Sequence, residues 1–466
     1  MNRRNDAVLG TRRISRRDTL RFGFGAAGIA ATGGLIAHRS ANAAGGGLGG
    51  RWAPWPHQGG ETIVFLSTQL RPVEEAEKMR NTILADFEGS VDFIPEDTGP
   101  FNDRIAAEAE AGEGTIGVIG AQHGDFAALA ARGYLADLTD LLQELSDRTF
   151  VEDYVQLGKF GGEEQLYIPW MQATYIMVAH REALQYLPEG LDEESLRTSL
   201  TYEQLGEWVR NINEAEGQKF GLPAGEDGLL HRFFQGYAYP SFTGGVNTTF
   251  KSEAAAQMWQ WLKDTWQYAN PQSVTYGAMD EPLLSGEVWV AWDHVARLIS
   301  ALRERTDDLI AFPAPRGPQG LGFMPVVAGL AIPKNAPDME ASRALIEYLT
   351  RPEVQATTLR EVAFFPVIEG ELPGDLPPGV QQEVDAVQAT TSDPQALPSL
   401  LPVGLGEQDG AYNKVFRDTF QAIILDGNDI QQTLEQQAQN LQSVLDAAGA
   451  SCWAPDPESE GVCQVG

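Results

Sequence analysis

The sequence predicts an α/β protein, mostly parallel sheets covered by helices, on three observations. Short β-branched runs alternate with segments of helical spacing, the order that places parallel strands side by side through helical crossovers. Apolar residues make up 43% of the chain, ordinary for a protein that buries a core in water. The stretch beyond residue 43 is long enough for two or three domains, each with its own core.

The elements follow in order. Glu61–Leu66 is a short apolar run and reads as a buried first strand. Pro72–Glu88 carries Val73, Ala76, Met79, Ile83, Leu84 and Phe87 at helical spacing. Val91–Ile94 and Thr115–Ile119 read as strands on either side of a helix, Phe101–Ala111. Asp125–Arg132 is a helix ended by Gly133. Leu166–Trp170 breaks the rhythm with a proline, and Thr174–Ala179 is a strongly apolar strand. Thr201 and Gln204 have the spacing of a capping box that starts a helix. Tyr237, Tyr239 and Phe242 fall in a Gly-rich segment read as a loop. Ala254–Tyr268 is a helix whose Trp259, Trp261 and Trp266 are expected to pack in the core. Leu309–Pro313 and Val326–Ile332 are strands flanking a Pro/Gly-rich turn, and Ala341–Thr350 is a helix stopped by Pro352. Phe364–Val367 is a second proline-marked crossing, residues 370–402 read as irregular, and helices Ala411–Leu425 and Ile430–Ala448 close the chain.

Residues 1–43 resemble a twin-arginine export signal. Arg16-Arg17 precedes a Gly/Ala-rich apolar run, Phe22–Ala37, and a small-x-small site, Ala41-Asn-Ala43. The run is too short and glycine-rich to span a bilayer. Residues 44–60, rich in Gly, Pro and Trp, read as a flexible leader. The expected location is therefore periplasmic or extracellular. Net charge is −32, a field that repels nucleic acid and anionic membranes. It suits either a high-GC genome with surplus solubility or a salty habitat. Cys452 and Cys463 in the tail (451–466) are expected to form a small disulfide loop in an oxidising compartment.

The landmarks together resemble the extracellular solute-binding proteins of ABC importers, in their sugar-binding, maltose-binding-protein-like branch. The resemblance is carried by Gly133–Leu138, Tyr167–Trp170 with Tyr175–Arg181, Leu200–Leu205, Leu284–Ala291, Ala328–Lys334 and Gly427–Leu434, in this order. It implies a type II, two-lobed fold with a hinge crossed several times. The first lobe would comprise 61–170 and 316–363, the second 175–311 and 368–450. It also implies a monomer that captures a mono- or oligosaccharide and passes it to a membrane permease, with no cofactor and no metal.

Sugars expose hydroxyls, which amides and carboxylates match, and apolar C–H faces, which suit flat rings. The rule that open α/β sheets bind ligands beyond the C-terminal ends of their strands selects Gln69, Gln122 and His123. The crossings add Trp170, Gln172, Tyr175, Phe364 and Phe365. The second lobe adds Tyr239, Trp292 and Asp293, a stacking ring beside an acceptor. A rival reading is the same fold binding a polyamine, an amino-acid derivative, iron or a polyol phosphate. A secreted carbohydrate-active enzyme is a further rival, although no Gly-x-Ser-x-Gly elbow, HExxH or phosphate-binding loop occurs.

Overall fold

The computed structural model describes residues 62–466; the expected export signal (1–43) and leader (44–60) lie outside them. Eleven strands occur among the described residues: β1 Ile63–Ser67, β2 Val91–Pro95, β3 Ile116–Gln122, β4 Ile168–Ala173, β5 Tyr175–His180, β6 Phe220–Gly221, β7 Val290–His294, β8 Leu309–Phe312, β9 Leu321–Phe323, β10 Val326–Ala331 and β11 Ala396–Pro398. They form a five-stranded sheet ordered β2-β1-β3-β10-β4, a four-stranded sheet ordered β6-β7-β5-β8, and a small β9–β11 pair. These are the cores of two lobes.

In the first lobe β2, β1 and β3 are parallel and β10 runs antiparallel between β3 and β4. Both faces are covered. Phe65 and Val118 point into one apolar cluster while their neighbours Leu66 and Ile119 point into another, because successive strand residues face opposite sides. That is why these strands read as unbroken apolar runs. Each such side chain contributes on the order of 2 kcal/mol by leaving water.

In the second lobe helices Val295–Glu304 and Pro378–Thr391 pack together beside β5 and β8. Helix Tyr202–Glu216 starts at the reciprocal Thr201/Gln204 cap: Gln204 N donates to Thr201 Oγ1 at 3.2 Å and Thr201 N to Gln204 Oε1 at 2.9 Å. Two sequence expectations fail here. Residues 370–402 are not irregular throughout, because Pro377 and Pro378 stand at the start of a helix, where a missing N–H costs nothing. The segment holding Tyr237, Tyr239 and Phe242 is not a loop but a continuous helical stretch from Leu230 to Thr243. Gly236 does not break it; a Cβ there would lie 2.5 Å from Met324, so the glycine admits close packing. Gly244 ends it in the left-handed conformation, φ 76°.

Three crossings join the lobes. β4 passes into β5 through Thr174, whose Oγ1 donates to Met324 O of the second crossing at 3.0 Å. Gln172 and Phe365 of the first and third crossings exchange both backbone hydrogen bonds, at 2.9 and 2.7 Å. The lobe limits differ from those expected. Residues 316–323 stay with the second lobe, where Arg316 pairs with Thr201 and β9 with β11; return to the first sheet comes only at Val326. After Phe365 the chain stays on the first lobe, with Val151 N donating to Val367 O and Glu369 N to Thr149 O. It rejoins the second lobe at helix Pro378–Thr391.

The tail is fastened to the second lobe. Cys452 and Cys463 are bonded. Within that ring the buried Asp456 carboxylate accepts backbone N–H groups of Val246, Asn247 and Thr248 at 3.1, 2.7 and 3.1 Å.

Candidate functional site

A cleft of about 990 Å3 opens between the lobes and is lined from both. Its first-lobe wall comes from loops leaving the C-terminal ends of parallel strands β1 and β3. Gln69 and Thr68 follow β1. Gln122 ends β3, and Asp125 stands in the first turn of helix His123–Ala131. Gln69 Nε2 donates to Thr68 Oγ1 at 3.0 Å, and Thr68 Oγ1 donates to Asp125 Oδ2 at 3.2 Å. Leu70, the next residue, holds φ at 55°, an uncommon conformation for a leucine at the cleft edge. Glu75, Asn102, Asp103, Arg71 and Arg132 also line this wall, and Asn102 Oδ1 is buried without a hydrogen-bond partner.

The second-lobe wall carries aromatic rings and two arginines, with Glu407 and Asp409 at its Leu401–Gly410 end. The Tyr175 ring lies on Trp292 with centroids 4.8 Å apart and planes 6° from parallel, and the His294 ring meets Tyr175 edge-on at 5.0 Å. Tyr175 is fixed further by the Tyr237 hydroxyl, which accepts its N–H at 2.9 Å and donates to its carbonyl at 3.0 Å. Phe364 stands 5.8 Å from His294. Arg232, on helix Leu230–Phe233, and Arg297, on helix Val295–Glu304, also line the cleft. The second lobe's segment Leu401–Gly410 closes one end against helix His123–Ala131. A Cβ on Gly124 would lie 2.8 Å from Pro402 O, so only glycine permits this approach.

Burial sets the charge states. It pushes Glu75 up to about 7, partly offset by Lys78 and Arg297. It pushes Asp125 up to about 6, with repulsion from Asp409 added. It pulls His294 down to about 3, helped by Arg297. His294 is therefore neutral at physiological pH; its Nδ1 accepts from Ala296 N at 3.2 Å, which leaves the proton on Nε2 as a donor.

Of the sequence-derived candidates, Gln69, Gln122, Tyr175 and Phe364 line the cleft. The other seven do not. His123 is buried in the first lobe, stacked on Phe160 at 4.9 Å and bonded through Nδ1 to Tyr167 Oη at 3.0 Å. Trp170 packs on Phe65 at 5.5 Å in the core. Gln172 is spent on the hinge, donating to Pro366 O and accepting from Tyr154. Phe365 is buried in the hinge pair, since its side chain and that of Phe364 leave an extended chain in opposite directions. Tyr239 donates to Phe250 O at 2.9 Å and accepts from Trp259 at 3.0 Å, deep in the second lobe. Trp292 lies behind Tyr175, and Asp293 points to the far face of β7, accepting from Met279 N and His294 N. Within the segment Trp292–His294, strand alternation turns His294 and not Asp293 toward the cleft. Arg297 and Arg232 were missed because helices Val295–Glu304 and Leu230–Phe233 carry no sequence signal that the reading used.

Two α/β lobes, a triple-strand hinge and a cleft lined from both halves define a ligand-clamping binding protein. Residues 75–356 match the family profile of the bacterial extracellular solute-binding proteins, and the chain belongs to that family. No curated protein sequence matches it. Among solved structures it is similar to the GacH receptor of Streptomyces glaucescens, described unliganded and with acarbose: 18% identity, 83% of this chain and 98% of that one, TM-score 0.63. It is similar to maltose-bound MalE3 of T. maritima: 18% identity, 82% and 100%, TM-score 0.64. It is similar as well to UgpB of Mycobacterium tuberculosis in complex with glycerophosphocholine: 18% identity, 84% and 99%, TM-score 0.63. At this identity the likeness speaks for the fold.

Proposed function

We propose that the chain is the extracytoplasmic substrate-binding component of an ABC importer, exported by the twin-arginine route, which captures a carbohydrate between its lobes and delivers it to a membrane permease. The observation that carries this reading is the cleft wall itself. The Tyr175 and Phe364 rings offer flat surfaces to sugar C–H faces, while Gln69, Gln122, Asp125 and the His294 N–H offer partners for hydroxyls. A ligand touching both lobes favours the closed state by its differential affinity, and the hinge converts occupancy into a shape that a permease can read.

A second reading, the same fold binding a non-sugar solute, is favoured by Arg232 and Arg297, which a neutral sugar does not need. The relatives' bound ligands, acarbose, maltose and glycerophosphocholine, support both. We read the cleft as a binding site and not a catalytic one, and the protein as a monomer without cofactor. The test is a thermal-shift screen against mono- and oligosaccharides, polyamines and polyol phosphates, in low and molar salt. A sugar that raises the melting temperature in proportion to its concentration supports the carbohydrate reading. Polyamines raising it while sugars do not would remove that reading, and turnover of a sugar by pure protein would remove the non-enzyme reading.

A further inference from the structure

We propose that the ligand of this cleft carries an anionic group, a carboxylate or a phosphate ester on a polyol body, received by Arg232 and Arg297. The proposal rests on the cleft's being the ligand site and refines its chemistry.

Three guanidinium groups gather on the second lobe. Arg232 and Arg297 face the cleft; Arg417, on helix Asp409–Phe420, stands behind them with its Nη2 3.1 Å from His231 Nδ1. Among the described residues none of the three has a carboxylate within 4.0 Å. Acidic residues outnumber basic ones 65 to 33 in this chain, so a carboxylate partner is easy to supply. Carboxylates act on them only at a distance, Glu75 and Asp293 on Arg297, Asp125 on Arg232 and Asp227 on Arg417, so no guanidinium fork is taken up by an ion pair.

The arginines are held in place by neutral partners. Arg297 Nη1 donates to the carbonyls of Asp227 and Gly277, and Arg232 Nη1 donates to Gln235 Oε1 at 2.9 Å. A guanidinium has five N–H donors, so each retains part of its fork for a carboxylate or phosphate. Buried His231 accepts from Arg417 and is kept neutral by burial and by the arginines around it, so it adds no competing proton. Across the cleft Glu75 and Asp125 offer acceptors for hydroxyl donors, while Arg71 and Arg132 also line the first-lobe wall and Glu407 and Asp409 the second. The site therefore fits a polyhydroxylated molecule whose negative group is received at Arg232 and Arg297.

The test is calorimetric titration of the folded protein with glucose, glucuronate, glucose 6-phosphate, glycerol 3-phosphate and spermidine near neutral pH, in low and high salt. The expected result is at least one anion binding about tenfold or more tighter than glucose, with affinity falling as salt rises. Arg232→Gln and Arg297→Gln should each then lose about tenfold or more for that anion. The salt dependence of the unaltered protein, together with Arg297→Lys, carries the test if a glutamine variant fails to fold. Glucuronate or a sugar phosphate as the preferred ligand supports both this proposal and the carbohydrate reading. Glycerol 3-phosphate alone supports the anion and removes the carbohydrate. Glucose bound as tightly as glucuronate overturns the anion and leaves the carbohydrate standing. Spermidine alone, or no binding across the panel, overturns the proposal.

Discussion

On the first lobe the cleft wall consists of loops leaving the C-terminal ends of β1 and β3, and it carries Glu75 and Asp125. On the second lobe it consists of the start of β5, the end of β7, two helices and the segment Leu401–Gly410, and it carries Tyr175, His294, Arg232, Arg297, Glu407 and Asp409. The first wall has groups whose proton occupancy changes near neutral pH. The second has a neutral histidine, a rigid ring stack and two guanidinium groups. One half of the jaw can thus retune its charge while the other stays fixed. A ligand bridging them meets hydroxyl acceptors on one side and donors on the other.

Four substitutions break or sharpen that contrast. The largest effect is expected from Trp292→Ala, which removes the buried support of the aromatic wall and should cost about 3–5 kcal/mol in denaturant unfolding. Stability unchanged within about 1 kcal/mol would show that the ring does not hold this wall. Next, Tyr175→Leu keeps apolar volume but loses the flat face, and affinity for the cognate ligand should fall about tenfold. Equal affinity by calorimetry would place the ligand elsewhere.

A smaller effect belongs to Gly124→Ala. Its Cβ would stand 2.8 Å from Pro402 O, so the lobes must part slightly and affinity should drop severalfold, with melting of the unliganded protein little changed. Unaltered affinity would mean that closure does not need this contact. Smallest is Glu75→Gln, read as a pH profile. The folded-state value of Glu75 is raised from 4.5 to about 7. Its contribution to stability is therefore fully present below the unfolded value and is lost as pH rises to about 7. The variant should gain melting temperature relative to the unaltered protein between pH 5 and pH 8 (~1–2 °C on the usual scaling). A difference that stays flat with pH would show that Glu75 is ordinary.

Most of the fold was legible because strand and helix periods in this chain are strong. The β1 and β3 runs are apolar on both faces, and the Thr201 cap announces its helix. What misled was punctuation. Pro377-Pro378 and Gly236 look like breakers, yet one sits where a helix tolerates proline and the other where packing against Met324 demands glycine. The site was legible only in part, for a related reason. Conspicuous residues such as Trp170, Trp292 and Tyr239 are large, and large rings are also what cores are made of. Arginines on helices that the eye passes over, Arg232 and Arg297, carry no local pattern. They converge only once the chain is folded, so spacing could not find them. Gln69 and Gln122 were found because the end of a parallel strand is a position that topology fixes in advance.

The disulfide ring around Asp456 has a practical corollary. It staples the far end of the polypeptide onto residues 246–248 of one half only, so thiol reductants used in purification act on that half and spare the other. Melting curves recorded with and without reductant then become a label, assigning each unfolding step to its lobe.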